Sequence, residues 1–573
     1  MPKLLTGNEA VARGAYEAGV HFASAYPGTP STEILENLAQ YEEVDAQWSP
    51  NEKVALETAL GACIGGARSI VSMKHVGLNV AADPLFTASY TGVNGGLVIV
   101  SADDPGMYSS QDEQDNRYYA RFAKIPMLEP SDSQEAKDFT IFAFDLSEEY
   151  DTPVLLRLTT RISHGRSPVV LGERTERKVK DYSRNIEKYI VLPAHARRLH
   201  VEVENRMSRL RALAEKSPLN KVEMGDRELG IITCGAAYQY VKEACPNASI
   251  LKLGFSYPVP HELIREFAKQ VNRLIVVEEL EPLLENEIRA LGIKVEGKEL
   301  FTRFGELSTE IVRKGLGMED ETSFKPEDNI PLRPPVLCPG CPHRGVFYQL
   351  NKLKAVVTGD IGCYTLGALP PLSSMDTCHC MGASIGTALG LEKARGKEFA
   401  RKVVAVIGDS TFLHSGITGL MDVVYNKGTI TVVILDNGIT AMTGHQHHPG
   451  TGYTAKNEST SKVDLEEICR AVGVKRVVTV DCYDLERLGT VLKEEMSAEE
   501  PSVVIARRPC ILWVRERERA FAVGESCIGC GACIGLGCPA ISLLGTAAEI
   551  NAQMCTGCGL CAQVCPTKAI VRL

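Results

Sequence analysis

The chain has 573 residues, 44% of them hydrophobic and 23% charged, which is an ordinary globular composition with room for several domains. A net charge of −10 and the lack of a lysine- or arginine-rich tract argue against nucleic acid as a partner. No run approaches the roughly 18 apolar residues of a membrane span, and the first residues do not resemble a secretory signal. We therefore predict a cytoplasmic protein that does not bind membranes.

The cysteine content is the most unusual feature of the composition. A cytoplasmic protein keeps its thiols reduced, so the nineteen cysteines are not expected to form disulfides. Eight of them fall between Cys527 and Cys565, within a stretch of the chain too short to bury a conventional core. Cysteines grouped in this way are predicted to be metal ligands.

Residues 1–174 alternate helical and strand patterns. The segments "GNEAVARGAYEAG" and "NEKVALETALGACIGGA" repeat small apolar residues at helical spacing, whereas "RSIVSM", "GGLVIVSADDP" and "TPVLLRLTT" are short β-rich runs. This alternation predicts an α/β domain with a parallel sheet. Glu52 stands at the start of the second helix, where a glutamate is most often only a favourable partner of the helix dipole.

Three further regions and a tail follow the first domain. Residues 175–224 are highly charged and predict a solvated helical connector, and a second βα alternation occupies 225–320. A proline-rich stretch then marks the start of a third α/β domain, 321–517, with the strands "KVVAVIGD", "TITVVILDN" and "PSVVIARR". The cysteine-rich tail, 518–573, is the fourth domain.

Polar residues end two strands of the third domain. Asp409 follows "VVAVIG" and Asn437 follows "VVILD", so both would stand at the carboxyl edge of a parallel sheet. A carboxylate and an amide are suitable ligands for a hard divalent cation, and a helix that begins after Ser410 would favour a phosphate. The alternative is that Asp409 only caps that helix.

The tail contains two cysteine motifs of the bacterial ferredoxin type, C-x2-C-x2-C-x3-C-P. "CTGCGLCAQVCP" has the usual spacing, whereas "CIGCGACIGLGCP" has four residues in its last gap. In such pairs the fourth cysteine binds the other cluster. The predicted ligands are therefore Cys527, Cys530, Cys533 and Cys565 for one [4Fe–4S] cluster, and Cys555, Cys558, Cys561 and Cys538 for the other.

The longer gap need not prevent cluster formation. The extra residue is offset by a shorter "CPAI" segment after Cys538, and Gly535 and Gly537 are expected to let the loop bulge without Cβ strain. A degenerate site or a zinc knuckle is the alternative for this motif. "CPGCPHRG", with Cys338 and Cys341, could likewise be half of a zinc site.

Several motifs resemble those of thiamine diphosphate enzymes. Gly408–Asp409 followed by Asn437 resembles the thiamine signature, although GDG has become GDS and the paired asparagines have become Asp436–Asn437. The resemblance implies that Mg²⁺ is bound by Asp409, Asn437 and the carbonyl of Ile439, and that Ser410 adjoins the diphosphate. "YPGTPSTEI" and the Glu52 helix start resemble the substrate-facing turn and the catalytic carboxylate of 2-oxoacid:ferredoxin oxidoreductases, which implicates Thr29 and Glu52.

The same family supplies two further comparisons. "ITAMTGHQHHPGTG" resembles its cofactor-covering loop, which implies that Thr443, Gly444 and Gln446 contact the cofactor. The C-x2-C motif, "GDIGC" and "RRPC" resemble the ligands of its cofactor-proximal [4Fe–4S] cluster, namely Cys338, Cys341, Cys363 and Cys510. Zinc or free thiols are the alternative for these four. Cys378 and Cys380 stay unassigned, and a zinc site at His445, His447 and His448 is a minor alternative.

Nearly the whole chain resembles the large subunits of indolepyruvate:ferredoxin oxidoreductases. The resemblance implies an α/β thiamine diphosphate-binding fold with a two-[4Fe–4S] ferredoxin tail. It further implies oxidation of indolepyruvate with coenzyme A to indoleacetyl-CoA and carbon dioxide, with two electrons passing to ferredoxin. The implied partners are a smaller beta subunit, an external ferredoxin and an aryl 2-oxoacid. The alternatives are another 2-oxoacid substrate, a non-oxidative decarboxylase, or a pure electron-transfer subunit.

Overall fold

A computed structural model describes residues 2–318, 330–331, 333–515 and 517–573. The chain divides into two compact units, Met1–Glu327 and Asp328–Leu573, and each is considered by itself. Within the described ranges, no helix combines the length and the apolar character needed to cross a membrane.

The larger sheet of the first unit is nearly all parallel. Its seven strands lie in the order Phe255–Tyr257, Met127–Leu128, Val154–Thr159, Leu97–Asp103, Ser69–Lys74, Phe22–Ala25 and Asp45–Trp48. Only the outer strand Phe255–Tyr257 runs antiparallel to its neighbour. The central strands are buried at every position, as expected when helices cover both faces of a parallel sheet.

A second sheet in the first unit has four strands, in the order Arg273–Val277, Asp226–Thr233, Ala248–Leu253 and Asn220–Glu223. A separate antiparallel pair joins Lys3–Thr6 to Arg166–Val169. The helices of this unit are Gly7–Glu17, Thr32–Leu38, Glu52–Ile64, His75–Val80, Ala82–Thr91, Arg117–Ala123, Ser133–Tyr150, Thr160–His164, Ile186–Tyr189, Pro193–Ala214, Ala237–Ala244, His261–Ala268, Leu283–Ala290 and Thr309–Gly315.

The charged segment 175–224 differs from its prediction. Its long helix Pro193–Ala214 buries Val203 and Leu210 along one face, and its last residues form the edge strand Asn220–Glu223. The segment contains a helix, as predicted, but one face of that helix is buried and not solvated, because an apolar stripe at helical spacing lies among the many charges. The bounds predicted for the domains remain predictions.

The six-stranded sheet of the second unit is wholly parallel. Its strands lie in the order Thr377–Cys378, Val356–Gly359, Val403–Gly408, Thr431–Asp436, Ser502–Arg507 and Arg476–Asp481. Alternate side chains of Val403–Gly408 enter two different apolar cores, one on each face of the sheet. The predicted α/β class with parallel sheets is confirmed.

The helices of the second unit are His343–Lys352, Ala383–Arg395, Lys397–Ala400, Asp409–Thr411, Ile417–Tyr425, Leu465–Ala471, Leu485–Met496, Ile511–Val514 and Leu560–Val564. Short 3₁₀ turns span Cys363–Ala368 and Ile534–Leu536, and Phe412–Gly416 is a π-helical turn. In the tail, Phe521–Val523 pairs with Ile570–Arg572, and Ile541–Leu544 pairs with Ala547–Ile550.

Candidate active site and cysteine sites

Asp409 and the Asn437 turn meet at the carboxyl edge of the second unit's sheet. The strands that precede them are direct neighbours, with Gly408 opposite Leu435. Asp409 accepts hydrogen bonds from the backbone amides of Ser410 and Gly438, both at 2.8 Å. The predicted strand-end pair is therefore brought together by the parallel register.

Asp409 is held as a carboxylate. Burial alone would raise its pKa, but nearby His448 and the amides of Ser410 and Gly438 hold the pKa of Asp409 below its usual value. The Nε2 atom of His448 lies 3.4 Å from the Asp409 carboxylate. Burial also lowers the pKa of His343, beside Asp409, to about 4, so this imidazole is neutral at pH 7.

The glycine of the GDS turn is required by a close aromatic neighbour. A Cβ atom at Gly408 would lie only 2.6 Å from Cε1 of Tyr364. The Tyr364 hydroxyl also hydrogen-bonds the Ile361 carbonyl and the Thr411 hydroxyl, so it fixes the start of the helical turn. Sequence reasoning missed Tyr364 and His343, whose only signal was that each lies beside a cysteine motif.

The loop after Asn437 folds back on itself. Gln446 pairs across a β-bridge with Thr440 and hydrogen-bonds Thr443 through its side chain. Gly444 has φ of 127°, a left-handed value that favours glycine. The Thr440 hydroxyl donates to Ser410, which ties this loop to the GDS turn.

The donor atoms at this edge suit Mg²⁺ and a diphosphate. The Asp409 carboxylate and the Asn437 amide are both largely buried, and the backbone places Ile439 two residues further along the same turn. Oxygen donors of these types are what Mg²⁺ takes together with phosphate. The residues therefore fit the group, while their assignment as ligands remains a prediction.

Glu52 in the first unit is buried at a helix start. It opens the helix Glu52–Ile64, whose N-cap Asn51 accepts a hydrogen bond from the Val54 amide, and only 5% of Glu52 is exposed. A Cβ atom at Gly77 would lie 2.6 Å from Oε1 of Glu52, so the glycine leaves the space that the carboxylate occupies. This placement fits a carboxylate that works away from solvent.

Thr29 lies in a turn that follows the strand Phe22–Ala25. The Ser109 hydroxyl hydrogen-bonds its carbonyl, and a Cβ atom at the preceding Gly28 would lie 3.0 Å from Cβ of Lys74. Lys74 is 9% exposed, and its ammonium donates to the Ser109 carbonyl. Burial lowers the pKa of Lys74, although Asp104 and Asp112 oppose the shift. Sequence reasoning missed this lysine, whose signal was its place at the end of a buried strand.

Cys338, Cys341, Cys363 and Cys510 form one group in the second unit. Burial, together with the nearby Cys510 and Cys338, raises the pKa of Cys363 to about 11. Burial likewise raises the pKa of Cys341 to about 12, with smaller contributions from Cys363 and Cys338. The Cys510 amide donates to the Asn437 carbonyl at 2.9 Å, so this group of cysteines adjoins the carboxyl edge of the sheet.

The tail contains two cavities, each lined by four cysteines. One is lined by Cys527, Cys530, Cys533 and Cys565, and the other by Cys538, Cys555, Cys558 and Cys561. These are the two sets that the crossing rule predicts. Backbone amides of Ala569 and Phe521 donate to the sulfurs of Cys565 and Cys555, as they do for thiolate ligands. The donor sets therefore fit two iron–sulfur clusters, and the ligand assignment itself remains a prediction.

The widened gap of the first motif is a compact turn. Ile534–Leu536 form one turn of 3₁₀ helix, and Gly537 follows with φ of 65°. The expectation for Gly537 is correct, whereas Gly535 has no positive φ and needs no special freedom. The extra residue is absorbed by the 3₁₀ turn, which any residue type can adopt.

The three histidines of the loop contact different partners. His445 lies 3.8 Å from the Cys510 sulfur, His447 contacts Thr451 and Asn457, and His448 approaches Asp409. Cys378 contacts the Asp360 carbonyl, and Cys380 is exposed. Across the described ranges, no three His, Cys, Asp or Glu side chains converge on a single metal ion.

Comparison with known proteins gives three family matches. Residues 13–207 match "Pyruvate flavodoxin/ferredoxin oxidoreductase, thiamine diP-bdg", residues 360–506 match "Thiamine pyrophosphate enzyme, C-terminal TPP binding domain", and residues 548–571 match "4Fe-4S binding domain". Together with the parallel sheets and the cysteine cavities, these matches define a thiamine diphosphate-dependent oxidoreductase with an iron–sulfur domain.

Similar proteins identify the family. "Indolepyruvate oxidoreductase subunit IorA" of Archaeoglobus fulgidus is 42% identical, covering 99% of this chain and 97% of its own length. The protein of the same name from Pyrococcus horikoshii is 43% identical, covering 100% and 97%. "2-oxoglutarate synthase subunit KorA" of Methanothermobacter marburgensis is 27% identical over 55% of this chain. The chain belongs to the indolepyruvate oxidoreductase subunit IorA family.

Proposed function

We propose that the chain is the catalytic subunit of an indolepyruvate:ferredoxin oxidoreductase. It converts an aryl 2-oxoacid, coenzyme A and two oxidised ferredoxins into the acyl-CoA, carbon dioxide and two reduced ferredoxins. The observation that carries the proposal is that one compact unit holds both a strand-end oxygen site and three groups of four cysteines. This arrangement supports the proposal that a carbon-activating cofactor and a path for electrons share one scaffold.

The cofactors supply the reactive groups, and the side chains of the protein bind them and transfer protons. Bound thiamine diphosphate supplies the carbon nucleophile, and each iron–sulfur cluster carries one electron at a time. Asp409 and Asn437 hold the cation that neutralises the diphosphate, and Thr443, Gly444 and Gln446 cover the cofactor. Glu52 holds and moves the proton at the aminopyrimidine, a role for which a buried carboxylate is suited.

Cys338, Cys341, Cys363 and Cys510 bind the cluster nearest the oxygen site, and the two tail sets bind the next clusters along the path. A smaller beta subunit and an external ferredoxin are the proposed protein partners. The relatives are named as one subunit of an oxidoreductase, which supports a multi-subunit enzyme.

The proposal is tested on anaerobically co-produced subunits. We expect indolepyruvate to reduce ferredoxin or viologen only when coenzyme A is present, and a panel of aryl and aliphatic 2-oxoacids to rank the substrates. Aldehyde formation without reduction would instead indicate a non-oxidative decarboxylase. Preparations that lack both thiamine diphosphate and stoichiometric iron would refute the proposal altogether.

Lys74 is proposed to bind the carboxylate of the 2-oxoacid. A buried ammonium beside the Thr29 turn offers a charge-assisted hydrogen bond, which contributes roughly 1.5–3 kcal/mol. We expect Lys74→Met to raise KM for the 2-oxoacid by about 10- to 100-fold while KM for coenzyme A stays constant. Lys53→Met, which alters a partly exposed lysine paired with Glu57, is the matched control. Equal changes in both KM values would argue against this role.

A further inference from the structure

Arg344 is a fully buried arginine between two of the cysteine groups. It lies in the first turn of the helix His343–Lys352, and only 2% of it is exposed. One end of its guanidinium donates to the Leu536 carbonyl at 2.6 Å, in the widened gap of the tail motif. The other end donates to the carbonyls of Leu337 and Cys338, at 2.7 and 3.1 Å.

Among the residues that the structure describes, the guanidinium of Arg344 is bound by three backbone carbonyls and by no carboxylate, and its Nε atom has no hydrogen-bond partner. By contrast, the buried Arg117 pairs with both Asp115 and Glu278. A buried cation that lacks an anionic partner is costly, so a structure that keeps one is expected to place negative charge nearby.

The side chain of Arg344 lies beside both cysteine groups. Its guanidinium donates to the carbonyl of Cys338, which belongs to the CPGC group, and it lines the cavity formed by Cys538, Cys555, Cys558 and Cys561. A positive charge at this position acts electrostatically on both groups.

The two cysteine groups also share a wall. Pro339, Gly340 and Arg344 line the cavity of the second tail group together with its four cysteines. A Cβ atom at Gly340 would lie 2.1 Å from the Thr556 hydroxyl, so the backbone between Cys338 and Cys341 directly contacts the tail motif. Electrons passing between these groups would cross this wall.

We propose that Arg344 is the shared counter-charge of the Cys338/Cys341/Cys363/Cys510 cluster and the Cys538/Cys555/Cys558/Cys561 cluster, and that it raises the reduction potential of both. The inference rests on the proposed function, because it requires both clusters. Each cluster gains one negative charge on reduction, so a fixed cation in a low-dielectric wall stabilises the reduced state more than the oxidised state. Arg344 is thus a potential-setting residue.

This assignment also gives a role to the widened gap of the first tail motif. The 3₁₀ turn presents the Leu536 carbonyl to Arg344, and Gly537 lies so close that a Cβ atom there would be 3.4 Å from Nη1 of Arg344 and 2.8 Å from Pro371. Cys538, a ligand of the second tail cluster, follows immediately. The gap therefore fixes the arginine against the cluster whose potential it sets.

The test is a redox titration of the complete anaerobic enzyme, with each cluster followed by electron paramagnetic resonance. We expect Arg344→Gln to lower the midpoint potential of each of the two adjoining clusters by at least about 59 mV. For one electron this shift is a tenfold change in the equilibrium constant for reduction. The cluster of Cys527, Cys530, Cys533 and Cys565 should keep its potential. Arg344→Lys, which keeps the charge, should retain wild-type potentials.

Arg508→Gln is the matched control, because Asp481 already neutralises that arginine and it is partly exposed. Unchanged potentials in Arg344→Gln, or equal shifts in all three clusters, would overturn the proposal. If Arg344→Gln loses iron, Arg344→Lys is the deciding variant. Wild-type iron content and potentials in Arg344→Lys would support the role of the positive charge, and loss of iron from Arg344→Lys would overturn it. A wild-type enzyme without clusters would instead refute the proposed function.

Discussion

Glu52→Gln is expected to reduce the coenzyme A-dependent oxidation of indolepyruvate by about 10²- to 10⁴-fold, the usual worth of a positioned acid–base group. The amide has nearly the same shape as the carboxylate, so the helix Glu52–Ile64 and the contact with Gly77 should persist. What is lost is the ability to exchange a proton. The measurement is steady-state viologen reduction, together with the bound thiamine diphosphate and the Tm of each preparation.

Glu57→Gln is the matched control for this prediction. Glu57 lies on the same helix, but it is exposed and pairs with Lys53, so its loss should leave activity within about twofold, as for most surface changes. Gly77→Ala is the complementary variant, because its new methyl group would lie 2.6 Å from Oε1 of Glu52 and force the carboxylate to move. Full activity in Glu52→Gln would favour a pure electron-transfer subunit.

Cys558→Ala is expected to remove one cluster and abolish electron transfer to ferredoxin. The cavity lined by Cys538, Cys555, Cys558 and Cys561 offers four thiols, one for each iron, so the variant should lose about four iron atoms per chain. The other clusters should keep their signals, since their cysteines are unchanged. Iron analysis and electron paramagnetic resonance of anaerobic protein measure this result.

Cys380→Ala is the corresponding control. This cysteine is exposed and is assigned to no cluster, so its removal should change neither iron content nor activity. An equal loss of iron from both variants would show that iron is bound without the predicted selectivity. Unchanged iron in Cys558→Ala would contradict the assignment of that cysteine.

The local patterns of the sequence predicted the architecture well because each pattern has a local cause. Continuous apolar runs such as "VVAVIG" predict strands of a parallel sheet. The structure has strands at these runs, namely Val403–Gly408, Thr431–Asp436 and Ser502–Arg507. The prediction of a solvated connector at 175–224 missed the buried helix face, because composition does not distinguish one face of a helix from another. Only packing showed that Val203 and Leu210 lie on a buried face of Pro193–Ala214.

The motifs alone predicted which residues would form the oxygen site and the cysteine groups, because ligand type and spacing along the chain limit what a turn can bind. The distant residues that act on those groups were found only from the folded chain. Arg344, Lys74 and Tyr364 belong to no recognised motif, and their significance comes from their burial and from the groups that they contact. The physical reason is that electrostatic interactions depend on distance in space and on the local dielectric, neither of which can be derived from separation along the chain.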